Sequence, residues 1–195
     1  MTAYQRLLVY FGSFLTSREV VGLDIGSHSI KLVHLCREYG GWRLKAFSLA
    51  QLPPEAIVEG RIVNKTVVME RIRELAQQAG VSGADCVLAI SDNVIILARH
   101  EDQPTVVIKK LLLPQMVRAE FENSVLYEAE QYVPFDIKEA NLDVQILDPN
   151  SGQGQMDVLL ATAKKDRVAE YMAVATEADL RPIIVDMGVL AIMNM

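Results

Sequence analysis

Gly22-Leu23-Asp24-Ile25-Gly26-Ser27-His28-Ser29-Ile30-Lys31 is the stretch on which the reading of this chain turns. An apolar run of strand type delivers Asp24 to its end, and Gly26 lets the backbone reverse tightly. Ser27, His28 and Ser29 then offer N–H groups and hydroxyls to an anion at the tip. Lys31 adds a point charge on the returning strand. Asp24 would repel a polyphosphate directly, so its sensible role is to hold Mg²⁺ through water while phosphate oxygens complete the shell. On spacing alone an ordinary tight hairpin, in which Gly and Ser serve only the turn, fits about as well.

Three strand-like runs follow one another here: VVGLDI from Val20, SIKLVHLC from Ser29 and WRLKAFSL from Trp42. Turn residues sit between them at Gly26 to His28 and at Tyr39-Gly40-Gly41, which predicts an antiparallel meander. Gln51 to Asn64, with Pro53-Pro54 and Gly60, reads as an irregular connection. Lys65 to Gln78 reads as a helix with Val67, Val68, Ile72, Leu75 and Ala76 inward and Gly80 closing it. DCVLAIS, from Asp85, has the near-continuous apolar character of a strand buried on both faces, and NVIILAR, from Asn93, reads as another strand.

Further along, Pro114 is expected in the first turn of a helix that runs to about Tyr132 and ends before Pro134. Its inner face should be Val117, Phe121, Leu126 and Ala129. Its acids Glu120, Glu122, Glu128 and Glu130 do not share one helical row, so they read as a solvated face rather than a ligand set. NLDVQIL and MDVLLATA, joined by DPNSGQGQ, predict a hairpin. A helix near Asp166 to Ala178, a short strand PIIVD and the start of a last helix at MGVLAIMNM complete the chain. Asp186 is read as the N-cap of that last helix. At the other end, Tyr4, Leu7, Leu8, Phe11, Phe14 and Leu15 share one helical face, which is expected to dock on the body of the protein first, on a partner next, and on a membrane surface last, since Arg6 is its lone basic residue.

The 195 residues, 51% hydrophobic and 23% charged, suffice for one large domain or two small ones and exclude a disordered chain. With 19 basic against 25 acidic residues the net charge is -6, which disfavours a nucleic-acid ligand. Cys36 and Cys86 lie in apolar runs, suiting free thiols in a reducing cytoplasm. No stretch approaches the roughly 18 apolar residues of a membrane-spanning helix. His28, His34 and His100 are scattered without partners at metal-ligand spacing. No catalytic triad, Walker-type loop or paired-cysteine motif occurs.

GLDIGSHSIKLV resembles the first phosphate loop of the actin-like superfamily, with D-x-G-S-x-x-x-K spacing. Residues 42–68 (WRLKAFSLAQLPPEAIVEGRIVNKTVV), 125–135 (VLYEAEQYVPF), NLDVQIL, residues 158–174 (VLLATAKKDRVAEYMAV) and RPIIVD resemble the PilM family of type IV pilus assembly, in order from about Val20 to the end. FtsA of cell division is a more distant relative.

The resemblance implies an α/β fold: an actin-like (ribonuclease-H-like) subdomain 1A at 19–92 and 166–195, with a five-stranded sheet, and an inserted α+β subdomain 1C at 93–165. Residues 1–18 form an N-terminal amphipathic segment. The second lobe of the superfamily is absent, leaving half a nucleotide cleft. The resemblance further implies a cytoplasmic scaffold, not an enzyme, that serves pilus biogenesis and twitching motility. It would sit at the inner membrane through partners and grip the cytoplasmic N-terminal tail of PilN at the junction of 1A and 1C. Other inner-membrane and motor components are also implied as partners, and self-association stays open. ATP and Mg²⁺ are the implied ligands, on Asp24, Gly26, Ser27, His28, Ser29 and Lys31, with Asp24 on the metal through water. The competing readings are an actin-like adaptor of cell division or type II secretion and, further off, a phosphotransferase of the superfamily.

Overall fold

In a computed structural model, residues 19–90 and 106–188 are described. The expectations for residues 4–15, for NVIILAR and for a helix beyond residue 188 lie outside them. The described residues divide into two units, 19–90 with 168–188, and 106–167.

In the first unit, β1 (Glu19–Ile25) is paired on both sides. It runs antiparallel to β2 (Ser29–Glu38) and parallel to β6 (Asp85–Ile90). β3 (Gly41–Gln51) extends the meander beyond β2, and β10 (Arg181–Met187) lies parallel to β6, giving the order β10-β6-β1-β2-β3. Strand alternation sends Val21, Leu23, Ile25, Ile30, Leu32, Leu88 and Ile90 to one face, where they are buried. α1 (Lys65–Ala79) covers that face with Val68, Ile72, Leu75 and Ala76. Tyr171, Val174, Ala175 and Ala178 of α3, whose whole span is Lys165–Glu177, join the same cluster.

The expected helix at Lys65 is present one residue longer than the periodicity gave. Asn64 caps it by accepting from the Val67 N–H at 3.2 Å. Gly80 ends it in the left-handed region at φ 68°, its N–H donating to the Ala76 and Gln77 carbonyls. The connection before it is less irregular than expected, because β4 (Ile57–Val58) and β5 (Arg61–Ile62) pair in a short hairpin. α3 holds that hairpin: Tyr171 Oη donates to the Gly60 carbonyl at 3.0 Å, and Glu170 accepts from the Ile62 N–H at 3.2 Å.

The second unit is a three-stranded antiparallel sheet ordered β7-β9-β8, with β7 (Val106–Pro114), β8 (Ala140–Gly152) and β9 (Gln155–Lys164), and one helix, α2 (Arg118–Tyr132). The β8–β9 hairpin is the expected one. Pro114 is not in the first turn of a helix. It closes β7, paired with Gln155, and α2 begins four residues later. VVIKKLLL has the apolar density of a strand, and a proline is tolerated at the end of an edge strand such as β7. The inner face of α2 also differs: Phe121, Val125 and Ala129 are buried, and Val133 just beyond the helix joins them, whereas Val117 and Leu126 are exposed. Phe121, Val125 and Ala129 keep a strict i, i+4 row under the sheet, and Leu126 falls one position off it.

Cys36 and Cys86 are both free and buried, and β1 stands between their strands, since Glu19 is paired with Cys36 and Val21 with Cys86. Burial, with a smaller contribution from Asp85, pushes the Cys86 thiol up to about 12. Cys86 should therefore resist a thiol-specific chromogenic reagent at pH 8 in the native protein and react only after denaturation. Rapid native labelling of Cys86, located by peptide mass mapping, would contradict this burial. Leu88→Ala should cost about 2–5 kcal/mol in urea unfolding, against about 1 kcal/mol for Tyr171→Phe, which keeps the ring and removes the hydroxyl that donates to Gly60. Equal losses would mean that Leu88 is not enclosed as described.

Candidate functional site

The turn joining β1 to β2 is closed by the Gly26 N–H donating to the Ser29 carbonyl at 3.1 Å. A Cβ at position 26 would lie 3.2 Å from that same oxygen and 3.6 Å from Lys31 Nζ, so the approach of the two strands here requires glycine or a shift of the turn. Ser27 and His28 project into solvent, with Ser27 Oγ and His28 Nδ1 at 2.9 Å. The His28 carbonyl accepts from the Leu52 N–H at 2.9 Å, which ties the tip to the end of β3.

Asp24 and Lys31 are direct cross-strand partners, and Lys31 Nζ donates to Asp24 Oδ2 at 2.8 Å. Their side chains are 31% and 41% exposed, so the pair itself adds little to stability. Its consequence is positional: an acid and a cation are held side by side at the mouth of a tight turn. All six residues singled out in the sequence, Asp24, Gly26, Ser27, His28, Ser29 and Lys31, thus belong to one hairpin end. Among the described residues no group of three or more His, Cys, Asp or Glu is gathered to ligate a metal.

One residue near this end was given a different role by the sequence. Asp186 lies inside β10, and its Oδ1 accepts from the Met187 N–H at 2.7 Å. The strand register places Ala89 opposite both Asp24 and Asp186, so the two acids share a sheet face across β6, roughly 9–10 Å apart at two strand spacings. The signal available in the sequence was only that both aspartates fall near the ends of apolar strands. Burial raises the Asp186 carboxyl above its usual value of 3.8, against a smaller opposing effect of the Met187 N–H.

The description of the type IV pilus assembly protein PilM matches residues 22–195 of this sequence. The chain belongs to the PilM family. A solved PilM–PilN type IV pilus biogenesis complex is 30% identical to it, with a TM-score of 0.72 over 88% of this chain and 48% of the other. The cytoplasmic domain of EpsL, an inner-membrane component of the type II secretion system of Vibrio cholerae, is 13% identical, with a TM-score of 0.52 over 89% of this chain and 58% of that one. That second likeness concerns the fold, which is actin-like in both. This PilM-family chain spans about half the length of its PilM relative.

A raised carboxyl binds its proton more tightly folded than unfolded, so stability contributed by neutral Asp186 falls as pH rises past the ordinary aspartate range. Asp186→Asn keeps the Oδ1 acceptor and removes the charge. It should raise the urea midpoint at pH 7 and lose that advantage below about pH 3.8. An advantage that is the same at every pH would show that ionisation of Asp186 is not its source.

Proposed function

We propose that this chain is the scaffold half of a PilM-type protein. Its job is to bind the cytoplasmic N-terminal tail of a PilN-like membrane protein and so join the inner-membrane part of a type IV pilus machine to its cytoplasmic components. The observation that supports this reading most is the 30% identity, at a TM-score of 0.72, to the PilM of a PilM–PilN complex over 88% of this chain. Among the described residues no helix is long and apolar enough to cross a membrane.

The β1–β2 hairpin is proposed to take the phosphates of Mg-ATP. The fit is chemical: a glycine turn with an exposed tip, a lysine for phosphate oxygens and an aspartate for the water shell of Mg²⁺. Bound nucleotide would supply a multiply charged ligand that orders this end of the sheet. Gly26 keeps the tip narrow, Ser27 and Ser29 bring hydroxyls to it, and Lys31 exchanges its Asp24 partner for phosphate. The role is structural rather than catalytic, and the protein is read as cytoplasmic.

A synthetic peptide matching the cytoplasmic tail of the PilN encoded with this protein, titrated by fluorescence anisotropy, should bind saturably, and a scrambled peptide should not. Equal binding of both peptides, or of neither, would remove the scaffold assignment for this chain. For nucleotide, calorimetry should find Mg-ATP binding to these 195 residues weak, and submicromolar affinity would refute the half-site reading. In a protein of the relative's full length, Asp24→Ala and Lys31→Ala should each weaken Mg-ATP by about 1–3 kcal/mol, the usual size of a charge-assisted contact. Normal binding by both variants would return the hairpin to a plain turn.

A further inference from the structure

The sheet face turned away from α1 and α3 carries an apolar ladder along β2 and β3. Leu35 is paired there with Leu44 and Val33 with Phe47, while Trp42 and Leu49 extend the row at its ends, opposite Arg37 and Lys31. Trp42, Leu44, Phe47 and Leu49 are 49–61% exposed. A β-bulge builds this row: the register shifts between His34 and Leu35, leaving Lys45 unpaired between Leu44 and Ala46. Strict alternation would put Trp42 and Leu44 on the opposite face from Phe47 and Leu49. Arg43, across from Cys36, and Lys45, on Glu19, belong to that opposite face, so the centre of the ladder is apolar and asks for an apolar cover.

The chain holds a matching segment beside this row. Glu19, the first residue of β1, is paired with Cys36, and Cys36 with Arg43, so the start of β1 stands level with the Trp42 and Leu44 end of the ladder. The same register sets Val20, Leu35 and Leu44 in one cross-strand row on the ladder face. Neighbouring strands are about 5 Å apart, and the four Cα steps from Leu15 to Glu19 reach up to roughly 13 Å. Leu15 can therefore stand over Leu35 and Leu44. A helix from Tyr4 to Leu15 is about 17 Å long, and Leu44 to Leu49 covers roughly 16 Å of strand. Tyr4, Leu7, Leu8, Phe11, Phe14 and Leu15 share its apolar face, and Arg6 is its only charged side chain. So short a helix, weakened further by Gly12 and Ser13, is marginal alone and depends on a surface that buries that face.

We propose that residues 4–15 fold as a helix against this ladder, with Leu15 toward Leu44 and Tyr4 toward Leu49. Residues 16–18 are the link. So short a tether keeps the segment at high effective concentration beside the face, which favours it over a second copy arriving by diffusion. The docked segment adds an apolar layer on the side of the sheet opposite α1 and α3.

Trp42 is the only tryptophan of the chain, so its fluorescence reads this face directly. In the wild-type chain its emission should be blue-shifted and protected from acrylamide at every protein concentration. Leu8→Asp/Phe11→Asp should move the emission to the red and raise the acrylamide quenching constant several-fold, while circular dichroism shows the protein still folded. A benzophenone amino acid in place of Phe11 keeps an aromatic ring there. On irradiation it should crosslink to β2 or β3 of the same chain, located by peptide mass mapping, and this arm stands even if the acidic variant fails to fold. Four results would overturn the proposal: Trp42 as open to acrylamide in the wild type as in the unfolded chain, which would leave the face to a partner; protection that survives the double substitution; protection lost on dilution together with crosslinks between chains, which would assign the face to a second copy; or crosslinks from position 11 only outside β2 and β3.

Discussion

Burial of one side of β1 is the constraint on which the first unit rests. Val21, Leu23 and Ile25 are nearly inaccessible because β1 has a hydrogen-bonded neighbour on each side and α1 and α3 on the same face. A strand in that position has no freedom of register, since a slip of one residue would carry all three side chains to the other face and bring Val20, Gly22 and Asp24 into the core. Fixing Ile25 in the core therefore fixes Asp24 on the far face. The sharp turn at Gly26 then brings Lys31 back directly opposite it. The geometry of the candidate phosphate hairpin is thus a by-product of core packing two residues away.

The same alternation is interrupted once, at Lys45. The bulge divides β3 into two stretches whose outward residues would otherwise disagree in parity, and its lysine is held at the sheet margin by Glu19, which His34 also approaches at 3.4 Å. The attraction of Lys45, with a smaller one from His34, keeps the Glu19 carboxyl below its usual range. A local irregularity of one residue thus creates an apolar ladder on one face and a charged margin beside it.

The second unit follows weaker rules. Its sheet has only three strands and its helix presents a narrow row of Phe121, Val125 and Ala129, so its core is small. Lys109 lies 3.5 Å from the centre of the Tyr132 ring, and Gln115 ties β7 to the β8–β9 hairpin through the Pro149 and Gly154 carbonyls. Such polar and cation–π contacts at the margin supplement an interior that burial alone would leave marginal.

The sequence by itself determined the meander of β1, β2 and β3, the helix that Gly80 ends, the β8–β9 hairpin, and the tight turn that gathers Asp24, Gly26, Ser27, His28, Ser29 and Lys31 at one hairpin end. Each rests on a pattern a few residues long, a period of two or of 3.6 or a turn residue at a fixed offset, and local patterns are written locally. It also carried the family likeness. What it did not carry depends on partners far away in the chain. β7 and the true start of α2 were decided by pairing with β9, some 50 residues on, which claimed Pro114 as a strand end. The placement of Asp186 on the row of Asp24 was decided by two parallel pairings through β6, across more than 150 residues. The common face of Trp42, Leu44, Phe47 and Leu49 was decided by a bulge that exists only in the register of β3 against β2. Periodicity reports which side of its own strand a residue occupies, and only the assembled sheet determines what stands beside it.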